Sequence, residues 1–248
     1  MALFWNPATD CRVLVHGDDF LALGDLPALA QLGATLASKY VSKDMGTLGF
    51  EDGDVTTITV LNRSIEVGSD ADGIYLDIVA DVRHQAKILA ECGLDLHSKG
   101  HTTPRDKLKD VEVMRGASSE LLPAREATAH RSVTIRMAYL AQDRGDLAEA
   151  SKYLAQRMKA PRIHDWEQVK RIARYLTTRP AARLRFRRQR WPGTATVYAD
   201  SDWGSCPISR KSTSGMVLMH GRHCLRTSAT LQCLTTLSVA ESEFLRSY

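Results

Sequence analysis

The sequence predicts an α+β fold, and three observations carry that prediction. Short apolar runs bounded by Gly, Asn and Asp recur at the front of the chain, again over residues 55–76, and again over 194–228, as strands do. Other stretches repeat their apolar residues at i, i+3 and i+4, the helical period. These elements fall into two groups around a polar, aperiodic middle, residues 97–125, which reads as a linker or irregular crossing.

The first element is a hairpin. Cys11-Arg12-Val13-Leu14-Val15-His16 and Phe20-Leu21-Ala22-Leu23 flank Gly17-Asp18-Asp19, with Gly17 supplying the tight turn, and the apolar flanks predict burial. Two adjacent carboxylates between apolar strands are costly unless they are paired or bind a metal. Hard divalent cations take such oxygens and complete their shell with substrate phosphates, so Asp18 and Asp19 read as a magnesium site. The plain alternative is a turn, where acids are at home anyway.

Asp25 then caps a helix with Pro27 in its first turn, and Leu26, Leu29, Ala30, Gly33, Leu36, Ala37 and Tyr40 share a face expected to join a core. Strands follow at residues 55–60, 64–67 and 73–76, then a helix over 79–92. Helical periodicity resumes at 133–141, continues through Leu147, Ala150, Leu154 and Met158, and returns through Trp166, Val169, Ile172, Ala173 and Leu176. Asp165 is placed to cap that last helix, with Gln168 in a capping-box position, and Pro180 ends it. Strands over 194–200, 215–219 and 223–228 read as a β-meander, and a helix starts near Ser238.

At 248 residues and 44% hydrophobic, the chain is long enough for one large domain or two small ones with real cores. No run approaches the ~20 apolar residues of a membrane span, and the start lacks the charge of a signal peptide, so a cytoplasmic or nuclear location and no membrane partner are expected. Cys11, Cys92, Cys206, Cys224 and Cys233 are odd in number without Cys-x-x-Cys spacing, which argues for reduced thiols and against a zinc site. Net charge is +4, but residues 161–190 carry ten Lys or Arg against Asp165 and Glu167, a local +8, leaving −4 elsewhere. Lys170, Arg171, Arg174, Arg183, Arg185, Arg187, Arg188 and Arg190 are therefore candidate phosphate-backbone contacts, against the alternative of a solvated face or charged edge strand.

A second pair of acids lies near the C-terminal end. Val197-Tyr198-Ala199-Asp200-Ser201-Asp202-Trp203 sets acids at a strand end, and Ala240-Glu241-Ser242-Glu243-Phe244 sets two more at a helix start. A meander brings Asp200 within reach of Glu243, and acids converging in this way can hold a metal for phosphodiester hydrolysis. Acids also favour strand ends and helix starts for their own reasons.

These blocks, with Ser209-Arg210-Lys211-Ser212-Thr213-Ser214-Gly215 and Thr230-Leu231-Gln232 between them, resemble the RNase H domain of copia-type retrotransposon polyproteins. Tyr139-Leu140-Ala141-Gln142-Asp143-Arg144 and the segment from His164 to Leu176 are similar to the stretch joining polymerase to RNase H in that family. The Asp18-Asp19 hairpin resembles the reverse-transcriptase active-site hairpin, with His16 where that motif usually has Tyr.

The resemblance implies a polymerase palm and thumb fragment over residues 1–120, a helical connection over 121–190 and a truncated RNase H-like domain over 191–248. It implies that Asp18 and Asp19 are catalytic, metal-binding acids of nucleotidyl transfer, and that Asp200 and Glu243 play that part in hybrid hydrolysis, with Asp202 and Glu241 as weaker candidates. Mg2+ or Mn2+ is the implied cofactor. RNA template, DNA primer, RNA/DNA hybrid, dNTPs and the remainder of the polyprotein are the implied partners. The family's third palm acid and later RNase H acids are not found in the sequence, so little or no activity is expected of the isolated chain. The alternative is a non-catalytic nucleic-acid-binding remnant. Gly145, where the family commonly has Pro, and Leu245-Arg246-Ser247, which departs from its apolar helix, are read as relaxed constraint.

Overall fold

The computed structural model describes residues 1–105, 116–180, 182–206 and 208–245. Two compact units divide the chain, Met1–Val67 and Gly68–Tyr248. The mixed α and β content matches the expected class, and the strand ladders are antiparallel.

In the first unit, β1 (Ala2–Asn6), β2 (Cys11–His16) and β3 (Asp19–Leu23) form a sheet in that order. His16 pairs with Asp19, so Gly17 and Asp18 form a two-residue turn, and Gly17 takes φ +63°, which a residue without Cβ adopts freely. Helix α1 (Leu26–Lys39) begins as expected, with the Asp25 carboxylate accepting from the Ala28 amide at 2.9 Å and Pro27 in the first turn. Strand β4 (Thr57–Val60) pairs with the front of β5 (Arg63–Asp70).

Two burial expectations fail in this unit. The hairpin is only partly buried: Cys11 is enclosed and Val13, Leu14 and Val15 are half-buried, but Phe20 and Leu23 are 44% and 66% exposed. On α1 only Ala28 is buried, while Leu26 and Tyr40 are each 60% exposed. Periodicity identifies an apolar face, but burial requires a second layer, and that layer is a non-local property.

The second unit holds β6 (Gly73–Val79), α2 (Val82–Glu91), α3 (Ala124–Leu140), a 3-10 turn (Gly145–Leu147), α4 (Ala148–Ala155) and α5 (Ile163–Thr178). It continues with β7 (Arg183–Arg187), β8 (Ala195–Ser201), β9 (Thr213–His220), β10 (His223–Leu231) and α6 (Val239–Leu245). Ile88, Val133, Met137, Leu147, Leu154, Val169, Ile172 and Leu176, each at most 2% exposed, fill the centre of the helical layer. At about 1.5–3 kcal/mol per enclosed side chain, this cluster is the main stabilising element of the unit. The meander forms as expected in the order β10-β9-β8.

Helix α3 starts nine residues before the expected position, because Ala127 and His130 extend its buried face with residues that carry no strong apolar signal. Asp165 is not the cap of α5. Arg162 is the cap residue, and Asp165, at the third helical position, accepts from the Arg162 amide at 2.8 Å and pairs with Arg157 at 3.1 Å. Part of the expected linker, residues 106–115, and Arg246 and Ser247 of the C-terminal departure lie outside the described residues.

Candidate functional site

Asp18 and Asp19 occupy the hairpin turn and the first position of β3, both exposed, with no ion-pair partner among the described residues. Solvent relieves the desolvation that made a metal seem necessary. Adjacency on a rigid two-residue turn remains, and with it a pair of hard oxygen donors.

The C-terminal acids are built differently. β8 is an edge strand, so the Ser201 amide has no ladder partner on its outer side. The Glu243 carboxylate of α6 accepts from that amide at 3.3 Å, one residue beyond Asp200. The helix acid therefore meets the backbone of the strand end across 42 residues of sequence, through the Ser201 amide and not the Asp200 side chain. Glu241 turns elsewhere, accepting from the Leu237 amide at 2.7 Å. Asp202 accepts from the Thr213 amide at 2.6 Å, which ties its carboxylate to β9.

A buried hydroxyl and amide network holds the acids in place. Ser242, fully enclosed, contacts the Asp202 carbonyl at 2.6 Å and the Ser201 hydroxyl at 3.1 Å. Gln232 donates to the Ser242 carbonyl at 2.9 Å and to the Ser214 hydroxyl at 3.0 Å. Ser212, also fully enclosed, accepts from the Gly204 amide at 3.0 Å and meets the Thr236 hydroxyl at 3.1 Å. Sequence reasoning assigned no role to these serines and this glutamine. The signal was a run of small polar residues between apolar strands, which only enclosure explains.

Asp200 also lines an open cleft of about 360 Å³ with Tyr198, Met216 and Thr227 of the sheet and Gly145, Ala148 and Glu149 of the helical layer. Glu149 is engaged by Arg105 and lies 3.6 Å from Lys152, whose ammonium donates to Thr213 at 2.7 Å. Burial lowers the Lys152 pKa, opposed by the charges of Glu149 and Asp202.

Gly145 is not a site of relaxed constraint. A Cβ there would sit 2.7 Å from the Thr227 hydroxyl and 2.8 Å from its methyl group. Arg144, 2% exposed, fixes this turn by pairing with Asp146 at 2.6 Å and donating to the Arg179 carbonyl at 2.7 Å, while the Tyr175 hydroxyl donates to Asp146 at 2.7 Å. Burial pushes the Asp146 carboxyl up, but the Arg144 and Tyr175 hydrogen bonds outweigh it and leave its pKa below the ordinary value.

The basic stretch divides in two. On β7, Arg185 forms a bidentate pair with Asp77 at 2.8 Å, Arg187 one with Asp70 at 2.7 and 2.6 Å, and Arg183 lies 3.7 Å from Asp77. Arg185 also stacks 3.6 Å above the Tyr75 ring. Arg171 donates to Thr103 at 3.3 Å, and Lys170 and Arg174 are half-buried on α5. Arg188 and Arg190 are exposed with no ion-pair partner among the described residues.

Comparison with known proteins gives the origin of this arrangement. A retrovirus-related Pol polyprotein from transposon RE2 of Arabidopsis thaliana is 26% identical over 233 residues, 94% of this chain and 15% of the polyprotein. An uncharacterized mitochondrial protein of the same plant is 25% identical over 233 residues, 94% of this chain and 88% of that protein. Retrotransposon Pol polyproteins are homologues of this chain. The chain is also similar to Secreted RxLR effector protein 161 of Plasmopara viticola, 35% identical over 104 residues, 41% of this chain and 71% of the effector. No family model matches the chain, and no solved structure matches it. Against transposon Pol it spans about one seventh of the length. Among the described residues, no helix is long and apolar enough to cross a membrane.

Proposed function

We propose that this chain is a copia-type Pol segment running from the palm hairpin of an RNA-directed DNA polymerase, residues 1–120, through a helical connection, 121–190, into an RNase H-like domain, 191–248. The observation that supports the reading is the approach of Glu243 to the backbone of Ser201, next in sequence to Asp200, which itself lines an open cleft. In the intact polyprotein, Asp18 and Asp19 serve nucleotidyl transfer on RNA template, DNA primer and dNTPs, and Asp200 and Glu243 serve hydrolysis of the RNA/DNA hybrid.

All four side chains are hard oxygen donors, the kind that suits Mg2+ or Mn2+. When bound, such an ion supplies charge stabilisation and acidifies the attacking hydroxyl or water. The chain's own residues provide position: Ser242 and Gln232 hold α6 against β8, the Glu243 carboxylate is steadied by the Ser201 amide, and Arg144 sets the cleft wall.

As this 248-residue chain, the protein has little or no turnover on our reading. Among the described residues no group of three or more His, Cys, Asp or Glu converges, and a two-metal centre draws on more than two carboxylates. The second reading, a binding remnant without chemistry, is favoured by the unpaired cations Arg188 and Arg190.

Hybrid cleavage in Mg2+ or Mn2+ separates the readings, with wild type compared to Asp200→Asn and Glu243→Gln. Little or no cleavage by any of them, with hybrid binding retained, is the expected result. Robust wild-type cleavage lost in both variants would refute inactivity while supporting the assigned acids. Robust cleavage that survives both substitutions would overturn the assignment.

A further inference from the structure

Two uncommitted cations, Arg188 and Arg190, lead in sequence to an exposed indole. Trp191 is 82% exposed, and one edge rests on the His220 ring with centroids 4.5 Å apart and planes at 64°. Beside it, Gln189 clamps the β9–β10 turn. Its amide nitrogen donates to the His220 carbonyl at 2.8 Å and lies 3.2 Å from His223 Nδ1, and its carbonyl accepts from the Arg222 amide at 2.9 Å. His223 Nε2 meets the Arg187 carbonyl at 2.6 Å, which makes Nε2 the protonated nitrogen and Nδ1 the acceptor for Gln189. Gly221, at φ +58°, admits the clamp because a Cβ there would lie 2.5 Å from the Gln189 oxygen.

The result is a clamped surface segment that carries a stacking-competent ring next to Arg190 and ties residue 189 to the turn bearing Arg222; Arg188, Arg190 and Arg222 are all exposed and without an ion-pair partner among the described residues. A paired arginine is neutralised, as Arg185 and Arg187 on β7 illustrate. An unpaired guanidinium next to an open indole is not. Bases stack on aromatic faces while cations track the phosphates, and a duplex withholds its bases from such a ring.

We infer that this surface binds single-stranded nucleic acid, with a base stacked on Trp191 and adjacent phosphates on Arg188, Arg190 and Arg222. This rests on the proposed reading that nucleic acid is what the chain handles. It adds a strand-state preference and a surface separate from the acids.

The test is fluorescence anisotropy of the full chain with a labelled 12-nucleotide oligo(dT), and with a blunt duplex of the same length, over a salt series. Trp191→Ala should weaken oligo(dT) binding on the order of tenfold, and Trp191→Phe should restore most of it. Arg188→Gln and Arg190→Gln should each reduce the log–log salt slope by about 0.7. Because Trp191 is solvent-exposed, the thermal melt of Trp191→Ala should match wild type. Equal affinity of wild type and Trp191→Ala, or duplex binding as tight as oligo(dT), would overturn the surface alone. Absence of binding to either probe would overturn the surface and the nucleic-acid reading together.

Discussion

Replacing Arg144 by Leu probes the turn that shapes the cleft wall. The guanidinium is 2% exposed and makes three hydrogen bonds, two to Asp146 at 3.2 and 2.6 Å and one to the Arg179 carbonyl at 2.7 Å. Removing one partner of a buried pair costs about 3–5 kcal/mol, because the other charge stays behind unpaired. The Asp146 side chain is 34% exposed, so water recovers part of that loss and the lower end, ~3 kcal/mol, applies. At about 2–4 °C per kcal/mol for a unit of this size, the melting temperature should fall by ~6–12 °C. Urea unfolding should show a lower midpoint with an unchanged slope. Adding Asp146→Asn to Arg144→Leu should recover ~1 kcal/mol or more, since the stranded carboxylate is then gone. The Asp146 pKa is lowered in the fold, so its contribution is present above the unfolded carboxyl value of about 3.9 and is lost as pH falls through the folded value. The stability gap between wild type and Asp146→Asn should therefore close in acid below about pH 4. A loss under ~1 kcal/mol for Arg144→Leu, or a gap that widens in acid, would refute the reasoning.

Gly145→Ala should cost about 1–3 kcal/mol through overlap with Thr227, and Thr227→Ala should relieve most of it; calorimetric melts of the four combinations check this. The Asp70 carboxyl is held at about 2, chiefly by the Arg187 hydrogen bonds, so its carbon resonance should titrate near pH 2 and move back toward the ordinary range in Arg187→Gln. Burial pushes the Cys92 thiol up to about 12, so iodoacetamide at pH 8 should label exposed Cys233 and spare Cys92 until urea unfolds the chain. Mass mapping of the labelled peptides reads the order directly.

What was legible in the sequence was local. Asp25 followed by Pro27 names a helix start because cap and first turn sit within three residues, and Gly17 names a hairpin turn for the same reason. What was not legible was long-range. The +8 of residues 161–190 looks like one phosphate-binding surface, yet Arg183, Arg185 and Arg187 face Asp70, Asp72 and Asp77, more than a hundred positions earlier. Their alternation with Leu184 and Phe186 hinted at a charged edge strand, but nothing local supplied the opposing acids. Gly145 misled for a related reason: departure from a family residue looks permissive until Thr227, 82 residues on, is seen to occupy the space a side chain needs.

The block Ser212-Thr213-Ser214 shows what a specific motif encodes when it contains no catalytic group. The ladder of β8 ends at Ser201, paired with Ser214, and leaves Asp202 beyond it, where α6 is held by polar contacts. Serine and threonine hydroxyls each carry one donor and two acceptors in a volume small enough to enclose, so Ser212 and Thr236 meet one another while Ser242 meets the Ser201 hydroxyl and the Asp202 carbonyl. Gln232 spans the remaining distance to both Ser214 and Ser242. Because enclosed hydroxyls cost about 1–3 kcal/mol each when stranded, such a network is kept whole or lost whole. It therefore preserves the geometry of Asp200 and Glu243 independently of whether the chain completes a metal centre. The block therefore reports on how the end of β8 and α6 are held together more directly than on any chemistry.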